Sequence, residues 1–211
     1  MKYCLVLFLL LFSCAPPLLV AQETSPFQPS GKVSGVIYSN FHHGLTNTSG
    51  SDAAFEITRV YLDYAYKMTP EISGRITLDI GSPDDISPFS KLRRYAYFKF
   101  AYASWEKEKL EVQFGLIGTL HYKLQEQLWE RRYLRKAFAD EFKIGPSADL
   151  GVQAIYRFTP LLTADFTMMN GEGFTRLQMD DSFKYGLGMT LGKQERWINR
   201  IYADYMKNGE A

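Results

Sequence analysis

Apolar and polar residues alternate along most of the chain with a period of two. Ile72, Gly74, Ile76, Leu78 and Ile80 fall on one parity, and Ser73, Arg75, Thr77 and Asp79 on the other. Successive side chains of a strand point to opposite faces, so this segment has one apolar wall and one charged wall. In Phe55–Lys67, Val60, Leu62, Tyr64 and Tyr66 oppose Arg59, Tyr61, Asp63 and Lys67. Leu110, Val112, Phe114 and Leu116 oppose Glu111, Gln113 and Gly115. Leu150, Val152, Ala154, Tyr156 and Phe158 oppose Asp149, Gly151, Gln153 and Arg157. Leu162, Ala164, Phe166 and Met168 oppose Thr163, Asp165 and Thr167, and Phe183, Tyr185, Leu187, Met189 and Leu191 oppose Lys184, Gly186, Gly188 and Thr190. With a first strand over 32–41, an aromatic-rich fourth over 94–105 and a ninth starting near Trp197, the pattern predicts about nine strands. The rhythm breaks over 118–146. No Gly or Pro lies between Thr119 and Ile144, and helix formers abound, which predicts one short helix within Leu124–Ala139 inside a long loop.

The connections alternate in length. Long polar segments follow strands one, three, five and seven. Short turns follow two, four, six and eight, at Met68–Glu71, Glu106–Lys109, Thr159–Leu161 and Lys193–Arg196. Antiparallel bacterial outer-membrane barrels sort their connections in this way, short on the periplasmic side and long outside. Strands of about ten residues suit a tilted crossing of the hydrocarbon. Aromatics gather near the presumed membrane edges, at Tyr64, Tyr66, Trp105, Tyr156, Phe158 and Trp197. Little helix is available to cover the apolar walls. The expected fold is therefore all-β, an antiparallel transmembrane β-barrel. The competing expectation is a soluble β-sandwich that buries the same faces between two sheets.

The first residues add an address. Lys2, the apolar run Leu5–Phe12 and Leu19-Val-Ala21 read as a cleaved export signal over 1–21, too short to span a bilayer. A leader with Pro26 and Pro29 follows over 22–31, and the barrel over 32–211. Leu11-Phe-Ser-Cys14 also resembles a lipobox, which would lipidate Cys14. Both cysteines, Cys4 and Cys14, lie within the signal. A cut after Ala21 leaves no thiol for a disulfide scaffold or thiol catalysis, and leaves 23 basic against 23 acidic side chains. That balance argues against a nucleic-acid partner. No later apolar run approaches a helical span, so entry into a membrane would require a closed barrel. The expected localisation is the bacterial outer membrane, with its lipid as partner.

Several short motifs carry a resemblance. Phe55-Glu-Ile-Thr-Arg-Val-Tyr-Leu-Asp-Tyr and Gly74-Arg-Ile-Thr-Leu-Asp-Ile, followed by Val112-Gln-Phe-Gly-Leu, Leu128-Trp-Glu-Arg-Arg, Ile144-Gly-Pro-Ser-Ala-Asp-Leu-Gly-Val-Gln and Met169-Asn-Gly-Glu-Gly, resemble the N-terminal half of the phosphate-selective porin O/P family or a related porin of Bacteroidetes type. The likeness spans 32–206. It implies a barrel of about sixteen strands, a loop folded into the lumen after strand five, and a family in which homotrimers are common. Two departures stand out. Nine is an odd count for a bacterial single-chain barrel, and Lys207-Asn-Gly-Glu-Ala211 lacks a terminal aromatic. The expectation is part of a larger barrel, because open edges are costly in lipid.

In a pore, a field replaces chemistry. The polar faces supply Arg59, Arg75, Arg157, Lys184 and Arg200 against Asp63, Asp79, Glu111, Asp149, Asp165 and Asp204. They would act either as ladders of opposite sign across a lumen or as cross-strand ion pairs, and the second is favoured. In the long loop, Arg131, Arg132, Arg135 and Lys136 form a basic cluster. On a helix Arg132, Arg135 and Lys136 would share a face and attract anions. The alternative is that they pair with Glu126, Glu130, Asp140 and Glu141. His42-His43, Asp84-Asp85 and Asp180-Asp181 read as surface and turn residues rather than metal ligands. No triad context or phosphate loop is present, so neither an enzyme nor a cofactor is expected. The functional expectation is a porin passing small hydrophilic solutes, with anion preference. The alternative is a non-conducting barrel acting structurally or in adhesion through its external loops.

Overall fold

A computed structural model describes residues 26–43, 53–81, 96–132, 134–142, 144–193 and 196–207. The expected signal, Cys4, Cys14 and Asp84-Asp85 lie outside the described residues. Nine strands form one sheet: β1 (Ser30–His43), β2 (Ala53–Lys67), β3 (Ile72–Ile80), β4 (Ala96–Lys107), β5 (Leu110–Gly118), β6 (Ala148–Arg157), β7 (Leu162–Met169), β8 (Lys184–Lys193) and β9 (Trp197–Met206). Each pairs antiparallel with its sequence neighbours in the order β1 to β9. Among the described residues β1 pairs only with β2 and β9 only with β8, so the sheet is not closed. His42 and His43, expected in a loop, extend β1 opposite Ala54 and Ala53.

The sorting of connections holds. Residues 68–71, 108–109, 158–161 and 194–196 join strands at one end, and 44–52, 81–95, 119–147 and 170–183 at the other. Two of the short turns are built alike from a Thr-Pro pair. The Thr69 hydroxyl accepts from the Ile72 N–H at 2.9 Å, and the Thr159 hydroxyl from the Leu162 N–H at 3.0 Å. A Thr or Ser side chain so placed completes a turn while Pro fixes the next φ.

The faces of the sheet invert the usual relation between polarity and burial. On β7, Asp165 and Thr167 are almost inaccessible, whereas Phe166 between them is 41% exposed. On β3, Thr77 and Asp79 are buried while Ile76 is exposed. Phe55, Phe98, Phe114, Leu187 and Ile201 are exposed on the apolar side. Among the described residues no second sheet covers that side, so the sandwich arrangement is absent.

Two bulges interrupt the pairing. In β2, Tyr38 faces Arg59 and Ser39 faces Ile57, leaving Thr58 as the extra residue. In β4, Thr77 faces Phe100 and Leu78 faces Phe98, leaving Lys99 extra. A bulge turns a side chain away from the strand's alternation, and Lys99 is left buried on the polar side.

The helix differs from expectation. Instead of one helix within Leu124–Ala139 there are two, α1 (Leu120–Trp129) and α2 (Phe138–Glu141). Helix α1 starts earlier because the backbone leaves β5 through Thr119, whose N–H bonds the Ser147 carbonyl at 3.0 Å. It stops at Glu130, which takes a left-handed conformation (φ 53°) with its N–H on the Glu126 carbonyl.

Candidate functional site

The polar face and the helices folded onto it form the candidate site. Five of its strands carry cations that meet carboxylates across or along the sheet. Arg59 Nε lies 2.8 Å from Asp79, and Arg75 Nε 2.7 Å from Asp63. Arg157 reaches Glu106 at 3.1 Å and also contacts Glu111. Lys184 lies 2.9 Å from Asp204. Arg200 binds both oxygens of Asp165, at 2.7 and 2.8 Å, with both side chains buried. Wall charges therefore pair rather than stand as separate ladders. Asp149 does something else, holding the Gly171 N–H at 2.6 Å and so anchoring the connection after β7.

Missing side chains make one of the pairs that span an intervening strand. Arg200 on β9 must cross β8 to reach Asp165 on β7. It crosses above Gly188, where a Cβ would sit 2.6 and 2.7 Å from the Asp165 carboxylate oxygens and closer still to the guanidinium. Gly186 leaves the same kind of room between Thr167 and the Tyr202 hydroxyl. Alternate glycines on the polar parity of β8 are thus a clearance for side chains of the neighbouring strands.

Above this wall, the long loop is tied to itself. The Tyr122 hydroxyl lies 2.9 Å from both the Ala139 and Ile144 carbonyls and also meets that of Gly145. The Ala139 N–H donates to Gln125 Oε1 at 3.1 Å, and Trp129 Nε1 to the Arg135 carbonyl at 2.9 Å. Burial, with Asp140 and Glu126 nearby, pushes the Tyr122 phenol up to about 12. The loop meets the wall through two side chains of α1. The His121 ring stacks on Tyr202 of β9, centroids 4.3 Å apart, and Glu126 lies 3.9 Å from Lys99 of β4. Burial, then the charges of Arg200 and Lys184, lowers the His121 pKa to about 4.

The basic cluster is not the helical face that the spacing suggests. Arg131, Arg132, Arg135 and Lys136 lie beyond the end of α1, in the turn leading to α2. The Arg131 carbonyl accepts from the Leu134 and Arg135 N–H groups. Arg132 pairs with Asp140 at 3.0 Å and Arg135 with Glu141 at 2.8 Å. The hydrogen bond from Arg135 holds the exposed Glu141 carboxyl below its ordinary range.

Between α1 and the wall lies a cavity of about 550 Å³. Arg75, Arg157 and Arg200 line it from the strands, with Lys99 from the bulge and Lys123 from α1, and the acids Glu111 and Glu126 face them. Sequence reasoning missed Lys99 and Lys123. Lys99 touches the Tyr61 hydroxyl at 3.4 Å and lies over the Tyr61 ring at 4.9 Å. The signal for it was a stumble in β4, where Tyr97, Phe98 and Phe100 put bulky rings on both parities around it. Among the described residues no cluster of three metal-ligating side chains occurs. Asp180 accepts instead from the Ser182 N–H at 2.8 Å, as a turn residue does. No protein-family model matches the chain, and no curated protein sequence does either.

Proposed function

We propose that the nine strands are part of the wall of an outer-membrane β-barrel of porin type, through which small hydrophilic solutes diffuse passively. One observation carries the reading: along β3, β7, β8 and β9 the apolar parity is the more exposed and the polar parity the more buried. Water penalises such an outer face, and lipid favours it. The separation of short from long connections supports the same reading. So do the rings that collect at the short-turn end, Tyr64, Trp105, Tyr156, Phe158 and Trp197. The open edges of β1 and β9 would pair with further strands in a closed wall. In this account the long loop narrows the lumen, and the solute passes the cavity beneath α1. Around that passage Arg75, Lys99, Lys123, Arg157 and Arg200 outnumber Glu111 and Glu126 and give it an anion preference, whereas Arg132 and Arg135 pair with Asp140 and Glu141 outside its lining.

The way the 119–147 loop lies over the polar face also favours a second reading, a non-conducting barrel with a structural or adhesive role. Planar-bilayer recording of the refolded, heat-modifiable protein separates the two. Discrete current steps with an anion-favouring reversal potential are expected. A correctly folded protein that gives no steps would sink the pore and leave the second reading. Neutralising Lys99 as Lys99→Met should move the reversal potential toward zero more than reversing Arg135 does.

A further inference from the structure

We infer that His121 is an acid-sensitive latch that holds α1 against the pore wall and releases it when protonated. The inference rests on the pore reading for its effect on transport, but not for the movement itself.

The geometry around His121 suits a neutral ring and opposes a charged one. Its ring lies nearly parallel to Tyr202, at 24°, and its Nδ1 is buried without an acceptor. Arg200 sits 5.6 Å from the centre of the Tyr202 ring, so a guanidinium already occupies that site. The acids on the facing strands are committed. Asp165 on β7 holds Arg200 through both oxygens, and Asp204 on β9 holds Lys184 of β8. Within the loop, Glu126 faces Lys99, and the Tyr122 hydroxyl is turned to backbone carbonyls. The helix itself adds to the penalty. His121 stands in the first turn of α1, which contains no acidic residue, and a helix N-terminus disfavours a cation. An imidazolium there would face two cations and a positive dipole end, with no free carboxylate.

The sign of the pH response follows. Burial and the neighbouring cations depress the docked ring to about 4, against about 6.5 when it is free in water. The contribution of His121 to docking is complete above pH 6.5. It declines as the pH falls toward 4, because the undocked state takes up the proton first. The loop would then leave as a unit, since Tyr122, Gln125 and Trp129 tie its two helices to one another. For a single proton the undocked-to-docked ratio rises by up to about tenfold per pH unit within that window.

The test uses refolded protein in detergent or bilayers, with nitroxide labels at Lys123→Cys on α1 and Asn199→Cys on β9. The distance between labels should lengthen between pH 7.5 and 4.5. It should stay constant in the same protein carrying His121→Phe, which keeps a ring on Tyr202 but cannot take up a proton. In bilayers, step conductance should follow the same pH dependence and lose it in His121→Phe. An unchanged distance, or equal lengthening with and without His121, would overturn the latch. Lengthening without any current would leave the latch standing and remove the pore.

Discussion

The two faces of β7, β8 and β9 are made by the same residues of backbone and obey opposite rules. On the inner face, Asp165 and Arg200 are buried and paired with each other, and Thr167 is buried beside them. On the outer face, Phe166, Leu187 and Ile201 stand exposed. A soluble sheet would bury the second set and wet the first. The difference teaches that the face left open is the apolar parity, and that buried ion pairs line the opposite one.

That contrast predicts where substitutions hurt. The largest effect is expected at the inner pair. Asp165→Ala would strand Arg200 in a buried site and cost about 3–5 kcal/mol, whereas the double replacement with Arg200→Met should cost markedly less. Equilibrium refolding in lipid or detergent across urea would measure both. A smaller loss in the single than in the double variant would break the picture of a paired inner face.

Next comes the middle of the outer face. In the proposed lipid-facing wall, Leu187→Arg should cost about 2–4 kcal/mol. In a water-facing sheet an exposed leucine would tolerate arginine with almost no loss. Gly188→Ala should follow at roughly 1–3 kcal/mol, because its methyl group would press on both Asp165 and Arg200. The smallest effect, about 0–1 kcal/mol, is expected for Phe55→Lys at the end of β2, where in the proposed wall an amine would reach the membrane edge. A depth dependence running the other way, with Phe55 costlier than Leu187, would contradict the orientation of the strands.

Much of this wall was legible from the sequence, because a two-residue period says which side chains share a face whatever covers them. The turns at Thr69-Pro70 and Thr159-Pro160 were equally plain, each carrying its own hydroxyl and fixed φ. The rings crowded around Lys99 signalled a break in β4, but the position of the bulge was not legible. One inserted residue flips parity, and only the partner strand reveals which residue is extra. Nor were the limits of α1. A run free of Gly and Pro marks where a helix can form, but not the left-handed turn at Glu130, beyond which the Trp129 indole bonds the Arg135 carbonyl. Hence the basic cluster was placed on a helical face, although it lies in a turn among acids. The reach of Arg200 to Asp165 needs three strands and the space above Gly188 together, and no local pattern encodes it.

The most direct test is a nitroxide scan of consecutive positions from 184 to 191 in liposomes. Accessibility to oxygen, which concentrates in lipid, is compared with that to a water-soluble nickel reagent. A two-residue period is expected, with oxygen maxima at Tyr185, Leu187, Met189 and Leu191 and minima at Lys184, Gly186, Gly188 and Thr190. High nickel accessibility at Leu187 and Met189, or no period at all, would contradict it.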